Sequence, residues 1–120
     1  MRIEYSSTDR GRCEVSISED PDWRLFNGIA DAILGRFRGR LVERADGLDE
    51  RYWDIKIGKS IVTLHLQIYI GIILFPKNEE GNDLTREIGR YLEGIEPKKL
   101  SRRRFYIKNL FRIRWRRVRT

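Results

Sequence analysis

Residues 53–76 read WDIKIGKSIVTLHLQIYIGIILFP, and the way this run divides decides the fold. Trp53, Ile55 and Ile57 alternate with Asp54 and Lys56, the period-two pattern of a half-buried strand. Gly58-Lys59 follows as a two-residue turn with Gly first, suited to a type II′ hairpin. Beyond it Val62, Leu64, Leu66, Ile68, Ile70, Ile72 and Leu74 hold one face without a slip. Thr63, His65, Gln67, Tyr69 and Gly71 hold the other, which predicts a solvated polar side. An unbroken strand from Ile61 to Phe75 would span ~50 Å, while a domain of this size has a radius of gyration near ~14 Å. A turn or sharp bulge around Gln67–Gly71 therefore splits the run into two strands, and Pro76 ends the second. The run is also no membrane helix, because Thr63, His65 and Gln67 interrupt it and a span needs about 20 mostly apolar residues.

Upstream, RCEVSIS at 12–18 alternates Cys13, Val15 and Ile17 against Glu14, Ser16 and Ser18, which predicts another strand. Residues 1–10 are polar and aperiodic, an edge or mobile segment without the apolar core of a signal peptide. In DPDWRLFNGIADAILGRFRG at 20–39, Phe26, Ile29, Ala30, Ile33 and Phe37 share one helical face. Asp20 is the expected cap, Pro21 the first helical residue and Gly39 the stop. Gly28 and Gly35 each weaken this helix by about 1 kcal/mol relative to Ala, unless close packing requires them. Residues 40–52 read as a strand and a loop leading into the strand that holds Trp53. A second helix is expected in NEEGNDLTREIGRYLEGIEP at 78–97, with Leu84, Ile88, Tyr91, Leu92 and Ile95 on one face, Asn82 as cap and Pro97 as stop.

The order is strand, helix, four strands, helix, then a basic end. It predicts an α+β two-layer sandwich, a mostly antiparallel sheet of about five strands covered by two helices. A chain of 120 residues is one domain at most, with an appended segment. Apolar residues are 40% of the chain, enough for a core, and charged residues are 36% against a usual ~25%. The excess is Arg, 19 against 6 Lys. Residues 1–96 carry 14 basic and all 18 acidic residues, a balance of −4; residues 97–120 carry 11 basic and no acidic ones. The expected division is thus an α+β domain over 1–96 and a basic, aromatic-interleaved segment over 97–120. A single cysteine allows no intrachain disulfide and favours a reducing, cytoplasmic setting.

The inventory for catalysis is thin. His65 is the only histidine and has no Ser or Cys nucleophile beside it in sequence, so it reads as a sheet residue. Cys13, near Arg10 and Arg12, alternates with Val15 and Ile17 as a core residue rather than an activated thiolate. Asp46, Asp49, Glu50 and Asp54 offer oxygen ligands but not the spacing of a calcium loop, and they read as loop chemistry. Glu79-Glu80 reads as helix-start electrostatics. No zinc spacing and no phosphate-binding glycine loop occurs, so neither a cofactor nor a metal nor a small-molecule substrate is expected. A hydrolase around His65 or Cys13 is the weakest of three function classes.

The last twenty residues, SRRRFYIKNLFRIRWRRVRT, hold eight Arg and one Lys. On a helix, Ile107, Leu110, Phe111, Trp115 and Val118 fall on one arc. On a strand, Phe111, Ile113 and Trp115 alternate with Arg112, Arg114 and Arg116; this pattern is cleaner and favours extended structure for 111–116. Arg on phosphates with Phe105, Tyr106, Phe111 or Trp115 on bases would make a nucleic-acid arm. The candidate contacts are Arg102, Arg103, Arg104, Lys108, Arg112, Arg114, Trp115, Arg116, Arg117 and Arg119. The first expectation is therefore a non-enzymatic binding or regulatory module for a polyanion, nucleic acid first. The alternative is a protein-interaction module, including a homodimer, whose segment packs on an acidic partner or on its own body. A membrane-surface role ranks below both.

Overall fold

The computed structural model describes residues 1–103 and 114–117. Its sheet is organised by the hairpin between β4 (Glu50–Ile57) and β5 (Ser60–Gln67). Gly58 adopts φ +60°, Lys59 does not, and Ile57 pairs with Ser60. That turn fixes the ladder, placing Trp53 opposite Leu64, Asp54 opposite Thr63 and Tyr52 opposite His65. The apolar run divides where its length demands: β5 ends at Gln67 and β6 spans Gly71–Pro76. Gly71 is indispensable to this turn. Its φ is +106°, and a Cβ there would lie 2.1 Å from the Ser18 carbonyl oxygen. Ile68 and Ile70, expected on the apolar face, stand exposed in the turn instead.

Around this centre lie β1 (Glu4–Ser7), β2 (Cys13–Ser18), β3 (Arg40–Asp46) and β7 (Arg114–Arg117). The strand order is β1-β2-β6-β5-β4-β3-β7, antiparallel throughout except for the parallel β3/β7 pair. The fold is the expected α+β two-layer sandwich. The sheet has seven strands among the described residues rather than about five, because two polar termini add a strand at each edge. The polar β1 shows no apolar period, whereas the strand pattern read over 111–116 overlaps β7.

One face is covered by α1 (Trp23–Arg36) and α2 (Asn82–Glu93), and a third short helix, α3 (Pro97–Ser101), packs on α1. Phe26 of α1 meets Trp53 edge-on at 4.8 Å, and Ile29, Ile33, Ile88 and Leu92 complete the core with Ile55, Val62, Leu64 and Leu74. Leu100 of α3 joins the same cluster, fully buried. Three expected caps move. Asp22, not Asp20, accepts the Arg24 N–H at 2.9 Å, so α1 starts at Trp23 and Pro21 precedes it. The left-handed residue after α1 is Arg38 (φ 53°), not Gly39, whose missing Cβ instead makes room for Ile55. Asn82 is the first residue of α2, and its side chain is spent elsewhere. It accepts the Cys13 N–H and donates to the Gly11 carbonyl, both at 2.8 Å, pinning the β1–β2 hairpin to the helix. Pro97 opens α3.

Candidate functional site

The second face of the sheet carries the polar residues of β4 and β5, and it is not the solvated surface their alternation suggests. Thr63, His65 and Asp54 are all buried there. Asp54 accepts the Thr63 hydroxyl at 2.6 Å and pairs with Lys77 Nζ at 3.1 Å. His65 stacks on Tyr52 with ring centroids 3.9 Å apart, and the Phe75 ring stands edge-on to it. The Arg12 guanidinium lies 4.6 Å over Phe75. Beside these rings opens a cavity of about 400 Å³, walled by Tyr52, Phe75, Ala45 and Thr63 and rimmed by the Asp54–Lys77 and Glu43–Arg116 pairs. The lining thus offers aromatic rings together with paired charges of both signs.

His65 sits behind Tyr52 and not on the cavity wall. Its Nε2 is 3.7 Å from Glu50 Oε1, an ion-pair distance too long for a hydrogen bond. Burial lowers its pKa below the ordinary 6.5, with the Glu50 carboxylate offsetting part of the effect. Between that lowered value and 6.5 the unfolded chain holds more protons than the folded one, so stability falls as the pH is lowered through this window. His65→Phe keeps a ring on Tyr52 and removes the titration. Thermal melts across the window are expected to show a flatter slope in the variant; equal slopes would mean His65 is not the group responsible.

Cys13 faces the core, and burial pushes its thiol pKa up despite Arg86 nearby, the opposite of an activated nucleophile. The acidic cluster is dispersed by the pleat. Asp46 turns to the helix side, accepting Trp53 Nε1–H at 2.8 Å and Arg44 at 2.9 Å; Asp54 points to the opposite face, and Asp49 is exposed in the turn. Among the described residues no group of three potential ligands is placed to hold a metal ion.

The basic segment is divided between uses. Residues 114–117 are extended, in keeping with the strand pattern, and run parallel to β3. Arg116 donates to Glu43 at 2.7 Å and Arg103 to Asp31 at 2.7 Å, so two of the candidate contacts hold the body's own carboxylates. Arg102 and Arg114 are exposed. Arg104, Lys108, Arg112 and Arg119, with Phe105, Tyr106 and Phe111, lie outside the described residues, as do the side chains of Trp115 and Arg117. The expected list omitted Lys98 and Lys99, which α3 leaves exposed, and the outer-face partners Lys77 and Arg12.

The family model described as Protein of unknown function (DUF3630) matches residues 3–93, from β1 to the end of α2. No curated protein and no solved structure matches. No helix among the described residues is long and apolar enough to cross a membrane.

Proposed function

We propose that this chain, which belongs to the DUF3630 family, is a non-enzymatic binding module that engages a polyanion, nucleic acid first, through the basic surface outside the family stretch. The observation that carries the reading is the docking of α3. Leu100 anchors it to α1, so Lys98, Lys99 and Arg102 stand exposed on the helix layer, where Arg36 and Arg38 at the end of α1 are also exposed. The acid of α1 on that surface, Asp31, is already neutralised by Arg103. A cytoplasmic location belongs to the same reading, supported by the single buried thiol.

Phosphate contacts release condensed counterions, so binding must weaken with salt, by a log–log slope of about −0.7 per contact on single strands. The test is fluorescence anisotropy of a labelled single-stranded 20-mer, DNA and RNA, titrated with the intact chain at several salt concentrations. Five contacts give a slope near −3.5 on that rule. Reversing Lys98, Lys99 and Arg102 together to Glu should reduce the slope by about 2 and leave the melt unchanged, because all three are exposed. Binding that is absent, or that ignores salt, defeats the reading.

A second reading has its own support. The β7 strand pairs with β3, and Arg116 is held by Glu43. A segment that docks on protein in this way suits a protein-interaction module.

A further inference from the structure

Two carboxylates line the cavity on the outer face of the sheet, and they stand against each other. Glu43 on β3 is in register with Asp54 on β4, and both border the space beside Tyr52 and Phe75. Like charges directly opposite on neighbouring strands repel. The two side chains are only 16% and 10% exposed, so water and salt do little to screen them. Each is answered instead by a cation. Arg116 Nη1 donates to Glu43 at 2.7 Å, and Lys77 Nζ stands 3.1 Å from Asp54.

The cations are the movable part of this arrangement. The Arg116 side chain is 63% exposed and that of Lys77 50%, one on the edge strand β7 and the other just past the end of β6. An ion pair with so exposed a partner contributes little, so one cation exchanges for another at small cost. The carboxylates are fixed by the ladder, and Asp54 also by the Thr63 hydroxyl at 2.6 Å. An incoming anion meets two carboxylates that cannot withdraw; an incoming cation meets two cations that can. The rings add to this preference. The face of Tyr or Phe attracts a cation, and Phe75 already carries the Arg12 guanidinium at 4.6 Å. A volume of about 400 Å³ is that of a small-ligand pocket. Every lining residue except Arg116 falls within the family stretch 3–93.

We infer that this cavity binds a small organic cation with a guanidinium head, and that Arg116 is the chain's own stand-in for it. A guanidinium is planar, donates to two carboxylates at once and lies flat on an aromatic ring, which an ammonium does not. Glu43 and Asp54 take its N–H groups, Tyr52 and Phe75 its faces, and Arg116 leaves Glu43 as it enters. The site lies on the opposite face of the sheet from α3, and its test contains no nucleic acid.

The experiment is a titration of the intact, 15N-labelled protein with agmatine, followed by backbone amide shifts. Saturating shifts are expected at Ala45, Tyr52, Thr63 and Phe75, and none at Lys98, Lys99 or Arg102. Asp54→Asn should weaken binding about tenfold or more, because it removes a charged acceptor. Glu43→Gln carries the same expectation should Asp54→Asn lose its fold, and a melt of each variant shows which is folded. Arg116→Ala, at an exposed side chain, should tighten binding by about two- to fivefold, because the internal competitor is gone. A blocked Gly-Arg-Gly tripeptide is titrated beside agmatine; the tighter of the two tells whether the head belongs to a free amine or to the arginine of a protein. The absence of saturating shifts with both probes overturns the inference. So does binding undiminished in a folded carboxylate variant, or an Arg116→Ala variant that binds no more tightly than the wild type. Glutarate that shifts the same amides while agmatine does not would make the site anionic in its preference and overturn it equally.

Discussion

Gly28→Ala is expected to destabilise the protein by about 2–4 kcal/mol, although Ala is the better helix former by about 1 kcal/mol. The reversal comes from one close approach. A Cβ on Gly28 would lie 1.7 Å from the Leu100 carbonyl oxygen and 2.4 Å from its carbon, both backbone atoms that cannot rotate away. The helix α3 would have to leave α1, and Leu100, fully buried, would lose its seat. Gly35 sits two turns further along the same helix and is the control. Its Cβ would meet only the end of the Arg103 side chain, at 3.9 Å, an ordinary contact. Gly35→Ala should therefore stabilise by up to about 1 kcal/mol. Urea titrations of the two variants decide the matter. Opposite signs establish α3 as a packed element of the core; two stabilising substitutions would mean that α3 does not rest on α1.

The sequence shows that α1 contains two weak points but not which one matters, because the partner lies some seventy residues away and begins at a proline read as a stop. The same division runs through the rest of the molecule. The turn at Gly58-Lys59 is legible in two letters, and once read it dictates that Tyr52 faces His65 and Asp54 faces Thr63. Half of the outer-face cluster was thus available from the sequence. What alternation cannot tell is whether a polar face is wet. His65 and Thr63 are buried because Tyr52 and Phe75 from the neighbouring strands, and Lys77 just past the end of β6, fold over them, and the order of those strands is set by the whole topology. Periodicity likewise marks 111–116 as extended, and 114–117 is a strand. A local period carries no information about which edge a strand joins or in which direction, so the pairing with β3 and the Arg116–Glu43 bridge lay beyond it.

Leu64→Ala is expected to cost about 2–5 kcal/mol, because truncating a buried leucine loses transfer free energy and leaves a cavity that its neighbours only partly fill. The site is as enclosed as any in the fold. Leu64 has no exposed surface, lies on β5, the central strand of the seven described, and stands opposite Trp53 on one side and Leu74 on the other. None of its neighbours can close the space cheaply: Trp53 is fixed by its Nε1–H bond to Asp46 and by the Phe26 ring. Ile68→Ala and Ile70→Ala make the comparison sharp. Both belong to the same unbroken alternation as Leu64, and a continuous strand would bury them equally. In the β5–β6 turn they are 48% and 53% exposed, so truncation should cost no more than about 0.5 kcal/mol each. The midpoint of a urea titration should move strongly for Leu64→Ala and scarcely for the other two, with the slope unchanged in all three. A Leu64→Ala loss below about 1 kcal/mol would mean that the strand presents its other face to the helices. Comparable losses at all three positions would mean that the run does not turn between Gln67 and Gly71.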